Sequence, residues 1–586
     1  MRSDSLIALS FAVLLAAPLA AQQPAPPTSP PPGQQPAPDS GNPPSRVARI
    51  SYVLGDVSFQ PSGDTAWSLA TMNYPVTVGD RLYAGNGARA ELEMGSLAVR
   101  IGPSSDLTMS NLTENVVQLG LAQGTARVSI YRLDPGDSIE LDTPRGALFL
   151  LQPGAYRVDA PAGGDAMVVT AEHGTLEWTA GGVAHTVTDG QAIQVSGINP
   201  IQVASLAAGS PDDFDTWCDG RDHAASASPS AQYVSRDVPG YDDLDAFGYW
   251  RTDAQYGPVW YPTAVPDGWV PYRYGHWVWI EPWGWTWVEY EHWGYAPFHY
   301  GRWAVVGSRW GWLPGPVVAR PYYAPALVVF AGGGTFAAGV QAWFPLGPGE
   351  PYYPWYHHDA RYLRSVNVTN VRIVTNQRYF DDPRYIDKIR YRNRSEATTA
   401  VSTTIFQSGQ PVGRRAIPVD RDAVLRGTIE AHPFVPPAAS AAAGGTPVVG
   451  VPMRRPTFVT ARPPERTEPI GPKPLIVPRS VPAPQPGQEP PLITRRQPPP
   501  QDPSFQQRRQ AMQPDPGRPL EPQQVDNLRA GKPAGPRHDP EYPPHPLPAP
   551  VQKPQPRPAV QPPARPGPKP QPAQGQGSGR RKPGKP

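Results

Sequence analysis

Residues 275–289 read Gly275-His276-Trp277-Val278-Trp279-Ile280-Glu281-Pro282-Trp283-Gly284-Trp285-Thr286-Trp287-Val288-Glu289. Two runs alternate tryptophan with another residue, and Glu281-Pro282-Trp283-Gly284 between them carries turn chemistry, so the stretch predicts a β-hairpin. Alternation places Trp277 and Trp279 on one face of the first strand and Trp285 and Trp287 on one face of the second. The unit recurs. Gly268-Trp269-Val270-Pro271-Tyr272-Arg273-Tyr274-Gly275-His276-Trp277 matches Gly294-Tyr295-Ala296-Pro297-Phe298-His299-Tyr300-Gly301-Arg302-Trp303 at an offset of 26, with five of ten positions identical. Phe247-Gly248-Tyr249-Trp250 is a weaker copy 27 residues before Tyr274–Trp277, and Trp310-Gly311-Trp312 repeats Trp283-Gly284-Trp285. Repetition at this length marks one supersecondary unit used several times.

Twelve of the 17 tryptophans fall between Trp250 and Trp312. Rings this dense either stack into a core or face a partner, and each buries about 150–250 Å² when packed. Both readings stand at this level. As a core, the rings replace the aliphatic residues the segment lacks. As a platform, they suit sugar faces, proline-rich chains or quaternary ammoniums, and the candidate ligand-binding residues are Tyr274, Trp277, Trp279, Trp285, Trp287, Tyr300 and Trp303.

Other chemistry in the segment is sparse. His276, His292 and His299 are spaced by 16 and 7, which matches no standard ligand motif, so hydrogen-bonded sheet histidines are expected, with no metal and no cofactor. The carboxylates are Asp253, Asp267, Glu281, Glu289 and Glu291. A glycosidase needs two of them held across a cleft, and nothing singles out a pair. There is no nucleophile elbow, phosphate loop or cysteine–histidine setting, so no catalytic residue is assigned.

Outward from the hairpins the texture changes. Residues 46–205 consist of short alternating runs, such as Tyr52-Val53-Leu54-Gly55-Asp56-Val57 and Leu97-Ala98-Val99-Arg100-Ile101, broken by glycine turns. They predict an all-β domain, sandwich or roll. Residues 206–246 form an acidic connector. Ser210-Pro211-Asp212-Asp213 opens a short helix running to about Ala225. Asp213, Asp215 and Asp219 fail the calcium-loop pattern because Trp217 takes a ligand position and no glutamate closes the loop. Residues 247–430 are the Trp/Tyr/Gly-rich β-repeat domain and its C-terminal extension. Within it Ala324–Ala342 is uncharged, but Gly332-Gly333-Gly334 favours a hairpin with Ala326–Phe330 as one strand over a membrane span.

The two ends differ from the middle. Arg2, an apolar run from Leu6 to Leu15 and Ala20-Ala21 predict a signal peptide over residues 1–21. It is too short for a comfortable membrane span and is followed by no cysteine for lipid attachment. Residues 22–45 are a Pro-rich linker. Residues 431–586 hold 44 prolines in 156 positions, with 22 Lys+Arg against 9 Asp+Glu. That is a charge of +13 against −11 for the rest of the chain, which has 30 and 41. The tail is expected to be disordered or polyproline-like. Its charge suits envelope phosphates, wall carboxylates or the protein's own acidic part. Nucleic acid is not expected as a partner of an exported chain. Cys218 is the only cysteine, so no intrachain disulfide can form.

The β domain resembles a known family. Val53-Leu54-Gly55-Asp56-Val57, Val78-Gly79-Asp80-Arg81-Leu82, Ala88-Arg89-Ala90-Glu91-Leu92, Asp142-Thr143-Pro144-Arg145-Gly146-Ala147, Pro153-Gly154-Ala155-Tyr156-Arg157-Val158 and His173-Gly174-Thr175-Leu176 with Asp189-Gly190-Gln191 follow the order of the FecR domain. That is the periplasmic β-rich domain of iron-transport sensor proteins. The chain lacks the sensor proteins' sigma-binding segment and following membrane span, so only the fold and an extracytoplasmic location carry over. The longer string from Tyr241-Asp242-Asp243-Leu244-Asp245 through Phe344-Pro345-Leu346-Gly347-Pro348-Gly349-Glu350 to Phe406-Gln407-Ser408-Gly409-Gln410-Pro411-Val412 resembles a group of proline-rich exported bacterial proteins. In these a FecR-like domain precedes a Trp/Tyr/Gly-rich domain, and architecture and export are all the resemblance implies. The expected fold is therefore mainly β: a FecR-like domain, then aromatic hairpin repeats, with disordered Pro-rich arms. The expected role is a non-enzymatic binding or scaffolding protein of the periplasm, cell envelope or extracellular space. Its candidate partner is a cell-wall glycan, peptidoglycan or another envelope polymer, with the basic tail directed at an anionic surface and no membrane span after signal removal. The alternative is a glycan hydrolase with an aromatic cleft and acids among Glu281, Glu289 and Glu291.

Overall fold

Val116–Ile130 is the strand that organises the N-terminal β domain. Its first half buries Val117, Leu119 and Leu121, its second half Ala126, Val128 and Ile130, so the inward parity flips midway. The flip coincides with a change of sheet: residues up to Gln123 pair with Ser105–Leu112, and Gly124–Ile130 pair with Gly154–Ala160. Gly124 allows the crossing. Its φ is +94°, and a Cβ there would collide with Ser105.

The computed structural model describes residues 41–537 apart from 198, 333–337, 373–378, 381, 444, 450, 452 and 478–489. Residues 1–21, predicted as a signal peptide, most of the 22–45 stretch and the last part of the tail lie outside the described residues.

The architecture is mainly β. One sheet runs from Pro75–Val76 through Ala48–Leu54, Arg89–Glu93 and Leu97–Ile101 to the long strand. It continues through Gly154–Ala160, Ala166–His173 and Gln191–Ser196 to Ile201–Ala207. The other runs from Trp67–Leu69 through Val57–Gln60, Arg81–Ala84 and Ser105–Leu112 to the same strand. It then passes through Ser138–Thr143, Gly146–Leu150 and Thr175–Ala180 to Val183–Thr188. Inward aliphatics of both sheets fill the space between them.

The connector forms the expected helix, Asp213–Ala227, two residues longer than predicted. Its cap is Asp212 rather than Ser210, closed into a capping box with Asp215. Asp215 and Asp219 are not calcium ligands: they pair with Arg157 and Arg127 of the β domain at 2.8 and 2.5 Å. Cys218 is fully buried on the helix, and burial pushes its thiol up to about 12. Further on, Val328–Gly332 pairs antiparallel with Val340–Pro345, so strands pair where the hairpin was expected, the first lying two residues later than Ala326–Phe330; the residues between, 333–337, lie outside the described residues. No helix among the described residues is long and apolar enough to cross a membrane.

Among the described residues, no strand of the 48–207 region pairs with one of the 248–345 region. The two nevertheless share one continuous hydrophobic core, which also includes Val477, Ile493, Phe505, Met512 and Leu520 from the tail.

Those tail contacts correct the expectation that 431–586 is disordered throughout. Leu475–Val477 adds antiparallel to Ile201–Val203, Arg466–Thr467 adds parallel to Val183–Ala184, and Pro447–Val448 pairs with Trp67–Ser68. These partners are outermost strands of the two sheets. Three of the four sheet edges are thus covered by the tail, and the fourth, Pro75–Val76, is only two residues long and begins with proline. Arginines fasten the strap. Arg455 donates to the carbonyls of Gly79 and Pro61 at 2.7 and 2.6 Å. Arg495 pairs with Glu177 at 2.8 Å and lies 4.1 Å above the Phe149 ring, and its amide donates to buried Glu140 at 2.7 Å. At Arg495 the basic tail therefore meets Glu140 and Glu177 of the protein's own acidic part. Proline content misleads here, because the strand partners of these short segments are supplied by the β sheets.

A chain ending at Glu430 should melt at lower temperature than the full chain and aggregate with rising concentration, since it exposes three strand edges. Thermal melts with light scattering test this, and equal behaviour of the two chains would contradict the bracing role.

Candidate functional site

The predicted repeat is three hairpins. They pair Gly248–Asp253 with Gly257–Pro262, Gly275–Ile280 with Gly284–Glu289, and Arg302–Val306 with Arg309–Leu313. In each a first-strand tryptophan sits opposite a second-strand tryptophan: Trp250 and Trp260, Trp277 and Trp287, Trp303 and Trp312. Two positions before each first tryptophan is a glycine. A Cβ on Gly248, Gly275 or Gly301 would come within 3.0 Å of the indole of Trp260, Trp287 or Trp312 respectively. The Gly-x-Trp signature thus seats the facing indole over bare backbone. Each of these indoles donates its N–H: Trp260 to the Leu244 carbonyl at 3.0 Å, Trp287 to Glu289 Oε2 at 3.0 Å, and Trp312 to the Tyr300 carbonyl at 2.8 Å. The outer hairpins join through Trp260 and Trp312 into a four-stranded sheet, and the middle hairpin stands alone in the core.

The platform reading is overturned. Trp277, Trp279, Trp285, Trp287, Tyr300 and Trp303 are all 3 % exposed or less, and Tyr274 is half-buried. Trp277 and Trp287 meet edge to face at 5.5 Å, as do Trp279 and Trp285, and Trp277 continues onto Trp343 and Phe330. The cause is that the second sheet Val328–Pro345 and the tail cover the face that an isolated hairpin would leave wet. Burying one such ring removes about 150–250 Å² from water, which at about 25 cal/mol per Å² stabilises by at most about 4–6 kcal/mol.

Two of the three acids of the hydrolase alternative, Glu281 and Glu289, are also engaged. Glu289 is 1 % exposed and accepts from Trp287 Nε1 and the Tyr290 amide, and burial pushes its carboxyl up to about 8. Glu281 accepts from Trp279 Nε1 at 3.0 Å and faces Arg508 at 3.5 Å. Burial raises its carboxyl as well. Among the histidines, His299 Nδ1–H donates to the Ala324 carbonyl at 2.8 Å, and burial lowers the ring to about 3. His276 stacks on Tyr290, and His292 is exposed. Among the described residues no three His, Cys, Asp or Glu gather as a metal site.

Two features escaped the sequence reading. The first is a clamp between the β domain and the middle hairpin. Buried Arg49 reaches Glu93 at 3.1 Å, Asp243 at 2.6 Å and the His292 carbonyl at 2.8 Å. Asn73 beside it donates to the carbonyls of Glu289 and Glu291 at 3.0 and 2.7 Å. No local pattern marks Arg49, because its partners are 24 to 243 residues away.

The second is a cleft of about 400 Å³ where the β domain, the turn of the middle hairpin and the tail meet. Its walls are Thr108–Glu114 from one sheet, Glu281–Trp283 from the turn, Pro498–Asp502 of the tail, and Leu520, Val525 and Arg529 at the last helix, Pro522–Arg529. Charges around it are matched: Asp502 accepts from Ser62 Oγ at 3.0 Å and pairs with Arg529 at 2.8 Å, and Arg508 donates to the Ser62 carbonyl at 3.1 Å. Asp80 underneath holds Ser62 and Thr77 through their amides at 2.8 and 2.7 Å, and burial raises its carboxyl to about 7. No nucleophile–base pair stands among the described residues of its walls. The cleft falls where separate parts of a chain meet, a common place for ligand sites.

A family model described as a family of unknown function (DUF6600) matches residues 241–350, the span of the three hairpins and the Val328–Pro345 pair. No curated protein matches the chain. Two crystal structures of a "putative anti-sigma factor" from Parabacteroides distasonis, at 2.50 and 1.65 Å resolution, align at 13% identity and a TM-score of 0.21. Each alignment covers 31% of this chain and 99% of that chain. A likeness at that score fixes neither fold nor function.

Gly275→Ala should destabilise by about 1–3 kcal/mol, because its Cβ would strike the Trp287 ring and the Val288 carbonyl. Gly220→Ala, in the helix Asp213–Ala227 with open space around it, should stabilise by about 0.5–1 kcal/mol. Denaturant melts of both variants check the seat, and a neutral Gly275→Ala would refute it. Glu289 supplies a pH test. The unfolded carboxyl ionises near 4.5 and the folded one near 8, so above 4.5 the unfolded state binds fewer protons and stability falls until about pH 8. Relative to Glu289→Gln, the wild type should lose stability steadily across that window and change little outside it, measured by melts at stepped pH.

Proposed function

We propose that the chain is an exported, non-enzymatic scaffolding protein of the cell envelope whose basic C-terminal residues engage an anionic envelope polymer. One observation carries the scaffolding part: the tail closes three sheet edges and joins the aromatic hairpins to the β domain in one core. The locked state of Glu281 and Glu289 speaks against the hydrolase alternative, since groups held by indole N–H donors are not free to serve as acid and nucleophile. Export rests on the apolar run Leu6–Leu15 with Ala20-Ala21, and the FecR-like motif order agrees with an extracytoplasmic place. Polymer binding rests on charge. Residues 542–586 carry eight Lys+Arg and no Asp or Glu, whereas Arg455, Arg495 and Arg508 of the preceding stretch are engaged with the body. The aromatic rings have no part in it.

Sedimentation with purified envelope sacculi tests this reading. The full chain should pellet with them at low salt and release at high salt, as screening removes the attraction. A chain ending at Pro540 should stay in the supernatant. The mature protein, recovered from cells, should start near Gln22 and lie in the envelope fraction. Salt-independent pelleting, equal pelleting of the shortened chain, or a cytoplasmic protein that retains residues 1–21 would each overturn the proposal.

A further inference from the structure

The four-stranded sheet of the two outer hairpins has a second face that the tryptophans do not use. Strand alternation turns Trp250, Trp260, Trp312 and Trp303 toward the main core. Tyr249, Tyr261, Gly311 and Ala304 therefore share the opposite face, where Tyr256, Val259 and Leu313 complete a small cluster of their own. A Cβ on Gly311 would strike Val259 and Tyr261, so the tyrosine here also lies over bare backbone.

Three exposed arginines border this face, and tyrosines hold each of them. Arg251 lies 5.1 Å above the Tyr249 ring, Arg309 donates to the Tyr249 hydroxyl at 3.2 Å, and Arg392 donates to the Tyr256 hydroxyl at 2.8 Å. Tyr249 is itself stacked on Tyr261 at 5.4 Å. Holding a long side chain in this way lowers the freedom that a ligand would otherwise have to freeze. None of the three arginines pairs with a carboxylate among the described residues, whereas Arg49, Arg100, Arg127 and Arg157 each reach one at 2.5 to 2.8 Å. The acids close by are turned to backbone amides. Asp253 accepts from Gln255 and Tyr256 at 2.8 and 3.0 Å, and Glu350 accepts from Gly347 and Arg392, both at 2.6 Å.

An exposed guanidinium without an acid partner keeps its fork of N–H donors for an oxyanion. Tyr249 brings two such groups to one ring, one over its face and one at its hydroxyl, so they approach from different directions. A carboxylate presents its oxygens in one plane, whereas a tetrahedral phosphate presents them in several. Net charge does not explain an anion site here: outside residues 542–586 the chain has 44 Lys+Arg and 50 Asp+Glu, which repels polyanions in general.

We infer that this sheet face binds the phosphate groups of an anionic envelope polymer through Arg251, Arg309 and Arg392. The inference rests on the polymer reading above and gives that polymer a contact on the folded body. The tyrosine rings hold the arginines and are not the contact. Three exposed charges make a weak site alone, so a chain ending at Pro540 should stay in the supernatant of sacculi yet bind a soluble polyanion in excess. With residues 542–586 on the same polymer, the two contacts reinforce each other.

Soluble polyphosphate is the probe, titrated by calorimetry at low salt into a full-length chain whose eight Lys and Arg of 542–586 are glutamine. It should bind, and added salt should weaken it. Adding Arg251→Gln, Arg309→Gln and Arg392→Gln should leave the melting temperature unchanged and weaken binding by about tenfold or more. Arg421→Gln, Arg462→Gln and Arg466→Gln remove the same charge from arginines already paired with Glu396, Glu465 and Glu468, and together should weaken it by less than about twofold. No binding of polyphosphate, equal loss in the two triple variants, or tighter binding of polygalacturonate, whose charges are carboxylates, would overturn the inference. Failure of the tail to hold sacculi shows in the sedimentation assay and leaves this titration, made without tail charges, unaffected.

Discussion

An indole can lie flat on a β-strand only where the strand beneath it lacks a Cβ, and that constraint organises the second half of this protein. Gly248, Gly275 and Gly301 each clear the space for a tryptophan of the facing strand. Once seated, the indole N–H reaches a fixed acceptor: the carbonyls of Leu244 and Tyr300, or the carboxyl of Glu289. The glycine sets where the ring lies and the acceptor sets which way it points, so ring packing here is directed rather than merely greasy. The same arrangement fixes the chemistry of Glu289, because the ring that bonds it also helps to exclude water from it.

A core built this way needs closure from outside, since three two-stranded hairpins have two faces each and few residues between them. Closure comes from three directions. The Val328–Pro345 pair brings Phe330 and Trp343 onto Trp277. The β domain supplies Arg49 and Asn73, which bind the chain just after the middle hairpin. The tail brings Val435, whose carbonyl accepts from Trp285 Nε1 at 2.9 Å, and Pro519, which lies against Gly284. The tail that covers the sheet edges therefore also covers the rings, which links the stability of the two halves.

What was legible in the sequence follows from the range of each interaction. The turn at Glu281–Gly284, the strand pairs around it and the helix from Asp213 are local and were readable from alternation, turn residues and a cap. The exposure of Trp277 and Trp287 was not readable, because a ring facing solvent and a ring facing Trp343 leave the same alternation. The tail was misread for a related reason. Leu475–Val477 and Leu492–Thr494 are only three residues each and show no periodicity of their own. Their pairing comes from Ile201–Val203 and from Phe458–Thr460, which lie far off or within the same proline-rich background. The cleft and the Arg49 clamp join residues hundreds of positions apart and leave no local mark at all.

Quenching of tryptophan fluorescence by acrylamide tests the buried-ring account most directly. Of the 17 tryptophans only Trp217, Trp250 and Trp310 are half-buried, and the other 14 are buried. In a chain with those three replaced by phenylalanine, the remaining emission should resist acrylamide until the protein unfolds. Emission quenched in the native state as readily as that of a free indole would place the hairpin rings in water and contradict the account.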